Sequence, residues 1–215
     1  MDYGTGRNQK FLPIHELSGA LGPTKSSGLP MFHALTGCDT TSFFYGIGKT
    51  RAWMAWNQCP EVDGLFQELS NPGYILDDSK IDAIGKFVVT LYDKELQAKS
   101  INEARKVIYS RGTRSLENVP PTQGALEQHV KRAAYQAGHV WGQALVCTPT
   151  LPSPAEHGWI KCDKTRKWDV NWTDLGEASI SCRQLLKCSC KKKCAGRCTC
   201  MKNDLKCTSM CKCTC

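Results

Sequence analysis

The last 28 residues of this 215-residue chain contain nine of its 14 cysteines. Apart from Leu205 and two methionines, this block offers almost no large apolar side chain that could form a core. A segment so rich in cysteine folds either as a disulfide scaffold or around metal ions. The N-terminus lacks the apolar stretch of a secretory signal. We therefore favour bound metal and an intracellular location.

The cysteine spacing predicts a cluster of about three zinc ions. Tetrahedral zinc takes four ligands, so three separate ions would need about twelve. Nine thiolates suffice if three of them bridge two ions each. Metal binding would then supply the folding free energy that the block cannot gain from a hydrophobic core. The predicted ligands are Cys188, Cys190, Cys194, Cys198, Cys200, Cys207, Cys211, Cys213 and Cys215.

The positive charge of the chain lies in the same region. Residues 182–215 contain nine Lys and Arg and one Asp, whereas residues 1–181 contain 19 Lys and Arg and 19 Asp and Glu. Three Zn²⁺ and nine thiolates would reduce the formal +8 of this region to about +5. This excess predicts a polyanion partner, because phosphate contacts supply most non-specific affinity. The alternatives are a charge run that keeps a zinc knot soluble and a zinc knot that binds protein. The basic residues between the ligands are Lys191, Lys192, Lys193 and Arg197.

This spacing of cysteines resembles that of the tesmin-type CXC domain. Members of that family bind three zinc ions through nine cysteines, and many of them bind DNA. Two departures matter. The gap after Cys190 has three residues where the family usually has four, and Arg197 stands where DNA-reading members often have Tyr. Minor-groove reading by that Tyr does not carry over, although an Arg can enter a narrow minor groove.

A second motif lies between Thr36 and Ala52, where the sequence is TGCDTTSFFYGIGKTRA. Over about residues 8–58 the chain resembles flap-endonuclease-like (PIN-like) nucleases, in which a helix ends in Gly-x-Asp and a Gly-Ile-Gly turn follows. Asp39 and Gly46-Ile47-Gly48 stand at those places. Together with the cysteine block, the arrangement also resembles animal proteins of transposon origin.

The resemblance implies chemistry for these residues. A carboxylate such as Asp39 is a ligand for Mg²⁺, and two such ions could drive phosphodiester hydrolysis. The turn at Gly46, Ile47 and Gly48 would let backbone N–H groups approach phosphates, and Lys49 and Arg51 would add contacts.

The other carboxylates of that family lie mostly on strands upstream of this point, and Asp2 is the only acid before Glu16. One carboxylate cannot hold a two-metal centre, so we do not expect catalysis from this chain alone. The chain resembles the C-terminal part of a longer protein, or a shortened relative. The pair Asp77-Asp78 is more simply a helix cap than a metal site. Asp39 and the glycine turn would then form a helix–turn–helix without catalysis.

The predicted fold is mainly α, with four regions. Residues 1–60 form a partial PIN-like α/β segment with a helix–turn–helix, in which helical patterns cover Ile14–Leu21, closed by Gly22-Pro23, and Leu29–Thr36. Residues 61–118 form a helical middle, where Ser100 followed by Glu103 predicts a capping box at the start of a helix. Residues 119–181 combine a long helix, Gly124 to Val146, with a Pro/Trp-rich segment, whose tryptophans flank residues 163–166 and suggest a small hairpin. Residues 182–215 form a small irregular zinc-cluster tail. No apolar run is long enough to span a membrane.

The sequence thus predicts a nuclear, zinc-dependent protein that binds nucleic acid, with DNA favoured. One alternative is a Mg²⁺-dependent nuclease fragment, and another is a zinc-knot scaffold for proteins. Cys38 near His33 is interpreted as a loop or core cysteine rather than a nucleophile. His129 and His139 lie ten residues apart on the predicted long helix and lack a zinc-protease spacing.

Overall fold

The computed structural model describes residues 2–111 and 116–174, together with Cys188, Cys190, residues 199–202, Cys207 and Cys211. The chain divides into two compact units, Met1–Asp174 and Leu175–Cys215. The described part is mainly helical, as predicted. Its six longer helices are α1 (Ile14–Leu35), α2 (Lys49–Gln58), α3 (Asp63–Leu69), α4 (Asp78–Tyr92), α5 (Ile101–Ser110) and α6 (Gln123–Ala134).

Strand structure is confined to two small antiparallel pairs in the described residues. Near the N-terminus, β1 (Asp2–Tyr3) pairs with β2 (Lys10–Phe11). Further along, β3 (Trp159–Lys161) pairs with β4 (Trp168–Val170), with Trp159 opposite Val170. The Trp-rich segment therefore contains the hairpin that its spacing suggests. Neither pair is the sheet of an α/β fold, so the PIN-like assignment stays a prediction.

The first helix has a kink where the sequence predicts a break. Gly22 adopts φ 78° and ψ 167°, a left-handed conformation that glycine tolerates without strain. Helical structure resumes after it, because Pro23 has the φ that suits a first helical turn. The sequence predicts that the second half begins only at Leu29. That boundary is wrong, since residues 23–28 are already helical.

A chain of aromatic rings forms the core between the first four helices. Phe32 of α1 stacks on Trp56 of α2, with 4.7 Å between ring centroids. Trp56 contacts Phe66 of α3, and Phe66 contacts Phe87 of α4, each at 5.3 Å. Trp56, Phe66 and Phe87 are fully buried. Each of them stabilises the fold by roughly 1.5–3 kcal/mol relative to an exposed ring.

Side-chain caps set the starts of α4, α5 and α6, and Thr122 caps the last of these. The Asp77 carboxylate accepts a hydrogen bond from the Lys80 N–H at 3.0 Å and begins α4. This confirms its interpretation as a cap. The Ser100 hydroxyl accepts from the Glu103 N–H at 3.2 Å and begins α5. The Glu103 carboxylate accepts from the N–H of Lys99 at 2.7 Å, so this capping box closes one residue earlier than the standard motif.

The long helix is shorter than its apolar pattern predicts. After α6 the backbone widens to a π-helix at Tyr135–Val140 and tightens to a 3₁₀ turn at Trp141–Gln143. Leu145 and Val146, which the pattern places near the helix end, are exposed. The apolar period continues beyond the helix because Ala137 and Gly138 of this segment are still buried.

Two glycines, one in the π-helix and one in the 3₁₀ turn, let this part of the chain lie against the turn that follows α3. A Cβ on Gly138 would lie 2.7 Å from the carbonyl oxygen of Asn71. A Cβ on Gly142 would lie 2.8 Å from the carbonyl oxygen of Ser70. Backbone atoms cannot yield by that much at low cost, so glycine is required at both positions. In the described part of the chain, no helix is long and apolar enough to cross a membrane.

Candidate metal centre

Four of the nine predicted zinc ligands converge in the described part of the cysteine block. The Sγ atoms of Cys188, Cys200, Cys207 and Cys211 all lie within 4.8 Å of one another. Cys200 belongs to a single helical turn, Thr199–Lys202, whereas the other three lie outside helices. Cys188 and Cys200 are buried, and Cys190, Cys207 and Cys211 pack against them. No disulfide joins any of the cysteines that the structure describes.

The distances suit four ligands of one metal ion. The Sγ atoms of Cys200 and Cys211 are 3.7 Å apart. A tetrahedron with zinc–sulfur bonds of about 2.3 Å has edges of about 3.8 Å. A disulfide would require about 2.0 Å. The backbone N–H of Cys188 also points to Cys211 Sγ at 3.4 Å, a hydrogen bond that stabilises negative charge on that sulfur.

The electrostatics of the group favour a cation. Burial, together with the neighbouring Cys211 and Cys188, raises the pKa of the Cys200 thiol to about 11. Thiolates packed this closely repel one another unless a positive charge lies between them. A divalent metal ion supplies that charge, deprotonates the thiols and releases their protons. The group can therefore hold a metal ion.

The remaining predicted ligands are divided between described and undescribed positions. Cys190 is half-buried against the group of four but is not a member of it. Cys194, Cys198, Cys213 and Cys215 lie outside the described residues, as do Lys191, Lys192, Lys193 and Arg197. The three-ion cluster and the phosphate contacts of these basic residues stay predictions.

Asp39, the predicted Mg²⁺ ligand, lies in the loop between α1 and α2 and is exposed. Among the described residues, the cysteine group is the one set of three or more acidic, His or Cys side chains close enough to hold a metal ion. Asp39 is not part of that set. Its charge acts on His33, where it raises the pKa against the larger lowering by burial and Lys49.

The glycine turn leads directly into α2. Gly46 has φ 73°, in the left-handed region that favours glycine. Ile47 is buried in the core, and its N–H donates to the Phe44 carbonyl at 3.0 Å. Gly48 is the N-cap of α2 and has no side chain to satisfy the first N–H groups of the helix. Residues 36–48 separate α1 from α2, and the helix–turn–helix assignment stays a prediction.

The two basic residues after this turn already have acceptors within the chain. Lys49 Nζ donates to the carbonyl of His33 and to the hydroxyl of Thr36, both at 2.7 Å. It thereby neutralises the negative C-terminal end of α1. The Arg51 guanidinium donates to the carbonyl of Tyr92 at 3.2 Å. Both side chains hold helices together, and phosphate contact by either one stays a prediction.

Cys38 lies in a polar loop, as interpreted from the sequence. Its Sγ is 3.0 Å from the Thr41 hydroxyl and 3.3 Å from the Thr40 hydroxyl. Burial raises the pKa of this thiol, but the hydrogen bonds with Thr40 and Thr41 outweigh burial and lower the pKa below its usual value. No described His or carboxylate is hydrogen-bonded to the sulfur, so the contacts fix the loop.

His129 is the side chain whose role the sequence analysis missed. It is buried on α6, and its ring lies against Phe44 of the 36–48 loop at 5.3 Å between centroids. Spacing alone pairs it with His139, which instead contacts Tyr74 at 4.9 Å. The available signal is its position on the inward face of α6, three residues after the core residue Leu126.

Comparison with known proteins yields no matching family model, no curated relative and no matching solved structure.

Proposed function

We propose that residues 182–215 form a zinc cluster with shared thiolates and that the chain binds nucleic acid, DNA in particular, through this cluster. The observation that carries the proposal is the convergence of Cys188, Cys200, Cys207 and Cys211 within 4.8 Å. Four thiolates are soft ligands, and zinc is the common ion for a tetrahedral set of four sulfurs. The five further cysteines of the block are close in sequence and extend the cluster to three ions.

Charge supports nucleic acid as the partner. The block keeps about five positive charges after the thiolates are counted. Lys191, Lys192, Lys193 and Arg197 lie between zinc ligands, so the metal would fix their positions. A fixed basic surface of this kind displaces counterions from DNA phosphates. DNA binding in turn suits a nuclear location, and the resemblance to the CXC domain suggests the same.

The loop before α2 would add a secondary contact. The first N–H groups of α2 lie at the positive end of its helix dipole, and no side chain caps them, which makes this end a favourable place for a phosphate. Lys49 and Arg51 are held by α1 and α4, so their charges are fixed near this end. We propose that they strengthen binding modestly and carry no base specificity.

The test is the salt dependence of binding by the full chain. A zinc-loaded sample is titrated onto a short duplex DNA at several salt concentrations, with fluorescence anisotropy as the readout. Six phosphate contacts would give a log–log slope of about −5. Replacement of Lys191, Lys192 and Lys193 by Ala should reduce the slope by about 2–3 while the zinc content stays the same.

The matched control removes the same charge elsewhere. Lys86, Lys94 and Lys106 are exposed on or beside α4 and α5, and their triple Ala variant should keep the parent slope. Removal of zinc by a chelator should abolish tight binding. A parent slope near zero would instead indicate that the zinc knot is a scaffold for proteins.

A further inference from the structure

A cavity of about 280 Å³ lies between the end of α6, the loop before α2 and the β3–β4 hairpin. Three aromatic side chains line it, namely Tyr135, which follows α6, and Trp159 and Trp168, one from each strand of the hairpin. The Tyr135 hydroxyl donates to the Pro152 carbonyl at 3.1 Å, which orients its ring. Trp168 is 39% exposed, so a ligand can reach its ring from solvent. The whole cavity belongs to the first compact unit.

The register of the hairpin places both indoles on one face. Lys161 lies opposite Trp168, and Trp159 comes two residues before Lys161 on the same strand. Side chains two apart on a strand share a face, as do side chains directly opposite each other across the pair. Trp159, Lys161 and Trp168 therefore lie on the face that lines the cavity. Ile160 lies on the opposite face and is exposed.

Arg132 of α6 fixes the base of the hairpin. Its guanidinium donates to the carbonyls of Gly158 at 3.0 Å and Asn171 at 2.5 Å, the two residues that flank the paired strands. The N–H of Asn171 also donates to the Gly158 carbonyl at 3.0 Å. Contacts within the protein therefore set the position of the two indoles, and a ligand need not order them. Preorganisation of this kind lowers the cost of binding.

Gln136 supplies hydrogen-bonding groups at the cavity. The Thr40 hydroxyl donates to Gln136 Oε1 at 3.0 Å, and both residues line the cavity. In the described part of the chain, the two N–H donors of this amide have no acceptor, and its oxygen keeps a second lone pair. An amide with free donors and a free lone pair can pair with the edge of a nucleobase, as glutamine does with adenine.

The hairpin carries net positive charge beside the cavity. Residues 159–170 contain four basic and two acidic residues. The basic side chains are all exposed, and within the described residues none of them forms an ion pair. Phosphate groups complement such a surface. The basic residues are Lys161, Lys164, Arg166 and Lys167.

We propose that this cavity binds an unpaired base of a single-stranded nucleic acid, with the base stacked on Trp168 and its edge directed at Gln136. The inference rests on the proposed function for the class of ligand, and it adds a site outside the cysteine block. An apolar cavity of about 150 Å³ takes up benzene, so this larger cavity has room for a two-ring base. Aromatic walls beside basic side chains are the usual platform for single strands, because every base has a flat π-face.

Charge argues against the other ligand class that aromatic walls attract. A cation binds over the face of an indole or phenol ring. The Arg132 guanidinium lines the same cavity, and Lys161 lies on the cavity face of the hairpin. A second positive charge would be repelled there, whereas a neutral base with a phosphate attached would be attracted.

The test titrates the zinc-loaded full chain onto a short single strand of adenine nucleotides and onto a duplex of the same length, with fluorescence anisotropy as the readout. Raised salt weakens the phosphate contacts of the cysteine block. Trp168→Ala should weaken single-strand binding by at least about fivefold, the loss of one base stack, and should leave duplex binding unchanged. Gln136→Leu should weaken single-strand binding by about fivefold, the loss of one net hydrogen bond.

The matched control is Ile160→Ala. Ile160 is exposed on the same hairpin but on the face away from the cavity, so its replacement should leave both affinities unchanged. Adenosine monophosphate is titrated as well, because a free nucleotide carries the same base. It should bind the parent more weakly than the strand does, since a strand adds phosphate contacts to the basic hairpin.

The proposal is overturned if Trp168→Ala binds the single strand as tightly as the parent does, or if the mononucleotide binds as tightly as the strand. If Trp168→Ala fails to fold, Gln136→Leu decides in the same way. Duplex binding with the expected salt slope, together with single-strand binding that ignores both variants, would overturn this site alone. A duplex slope near zero would instead contradict the function proposed for the cysteine block, and single-strand binding that depends on Trp168 would still support this site.

Discussion

The sulfur atoms of Cys200 and Cys211 lie 3.7 Å apart, which is too far for a disulfide and close to the edge of a zinc–thiolate tetrahedron. Eleven positions separate these residues in sequence, so the fold of the block brings them together. We therefore expect replacement of Cys200 by Ser to lower the zinc content and unfold the block, because bound zinc would supply its folding energy. The measurement is zinc content together with the resonances of the block in a ¹H–¹⁵N spectrum.

The control for that variant is Cys147→Ser. Cys147 is exposed and, among the described cysteines, lies outside the converging group. Its replacement should leave both zinc content and spectrum unchanged. Equal zinc content in Cys200→Ser and the parent would contradict the assignment of Cys200 as a ligand.

Lys49 links the end of α1 to the start of α2. Its ammonium donates to the His33 carbonyl and to the Thr36 hydroxyl. Lys49→Ala should therefore reduce the free energy of unfolding by about 1–2 kcal/mol, because it leaves helix-end acceptors without a charged donor. Thermal or urea unfolding measures the change. Lys94→Ala, on an exposed side chain, should change stability by less than about 0.5 kcal/mol; equal losses in the two variants would contradict the role of Lys49.

His129 should make the protein less stable as the pH falls. Burial and the charge of Arg132 depress its folded-state pKa to about 4, from 6.5 in the unfolded chain. Between these values the unfolded state binds a proton that the folded state does not, so stability is lost as the pH falls from 6.5 to 4. The loss from this one residue should be about 3 kcal/mol. His33, His139 and His157 have pKa values lowered in the same direction.

Urea unfolding at several pH values separates His129 from these other groups. His129→Gln should have a smaller decline in stability across the same window than the parent, because the carboxylates and the other histidines are common to both proteins. Identical pH dependence in the parent and the variant would show that His129 titrates normally in the folded chain.

Local signals in the sequence were sufficient for much of the fold. The cap at Asp77, the capping residue Ser100 and the stop at Gly22 are set by backbone chemistry within a few residues. The end of α6 was not predictable in this way. It depends on the contact of Gly138 with the turn after α3, which is a tertiary relationship that periodicity does not contain.

The same distinction between local signals and tertiary contacts applies to the candidate site. Cysteine spacing alone predicts a metal site, because thiolate ligands and their number carry the chemistry with them. The engagement of Lys49 by α1 is invisible in the sequence, where a lysine after a glycine turn indicates a phosphate contact. The hydrogen bond between His129 Nε2 and the Leu35 carbonyl is equally invisible, because the two residues are 94 positions apart in the sequence.

This chain should not cleave nucleic acid in the presence of Mg²⁺ or Mn²⁺. A two-metal centre needs carboxylates from several segments, with the ions about 3.5–4 Å apart. In the described part of the chain, Asp39 has no such set of neighbours. The assay offers flap, fork and single-stranded substrates to the parent and to Asp39→Asn. Mg²⁺-dependent cleavage by the parent that disappears in the variant would contradict this prediction.

Native mass spectrometry of the full chain tests whether zinc holds the cysteine block. Spectra are recorded before and after treatment with a chelator and then with a thiol-alkylating reagent. The account predicts about three zinc ions per chain, nine cysteines of the block protected until the metal is removed, and all nine alkylated afterwards. A chain that carries no zinc, or whose block is joined by disulfides, would contradict it.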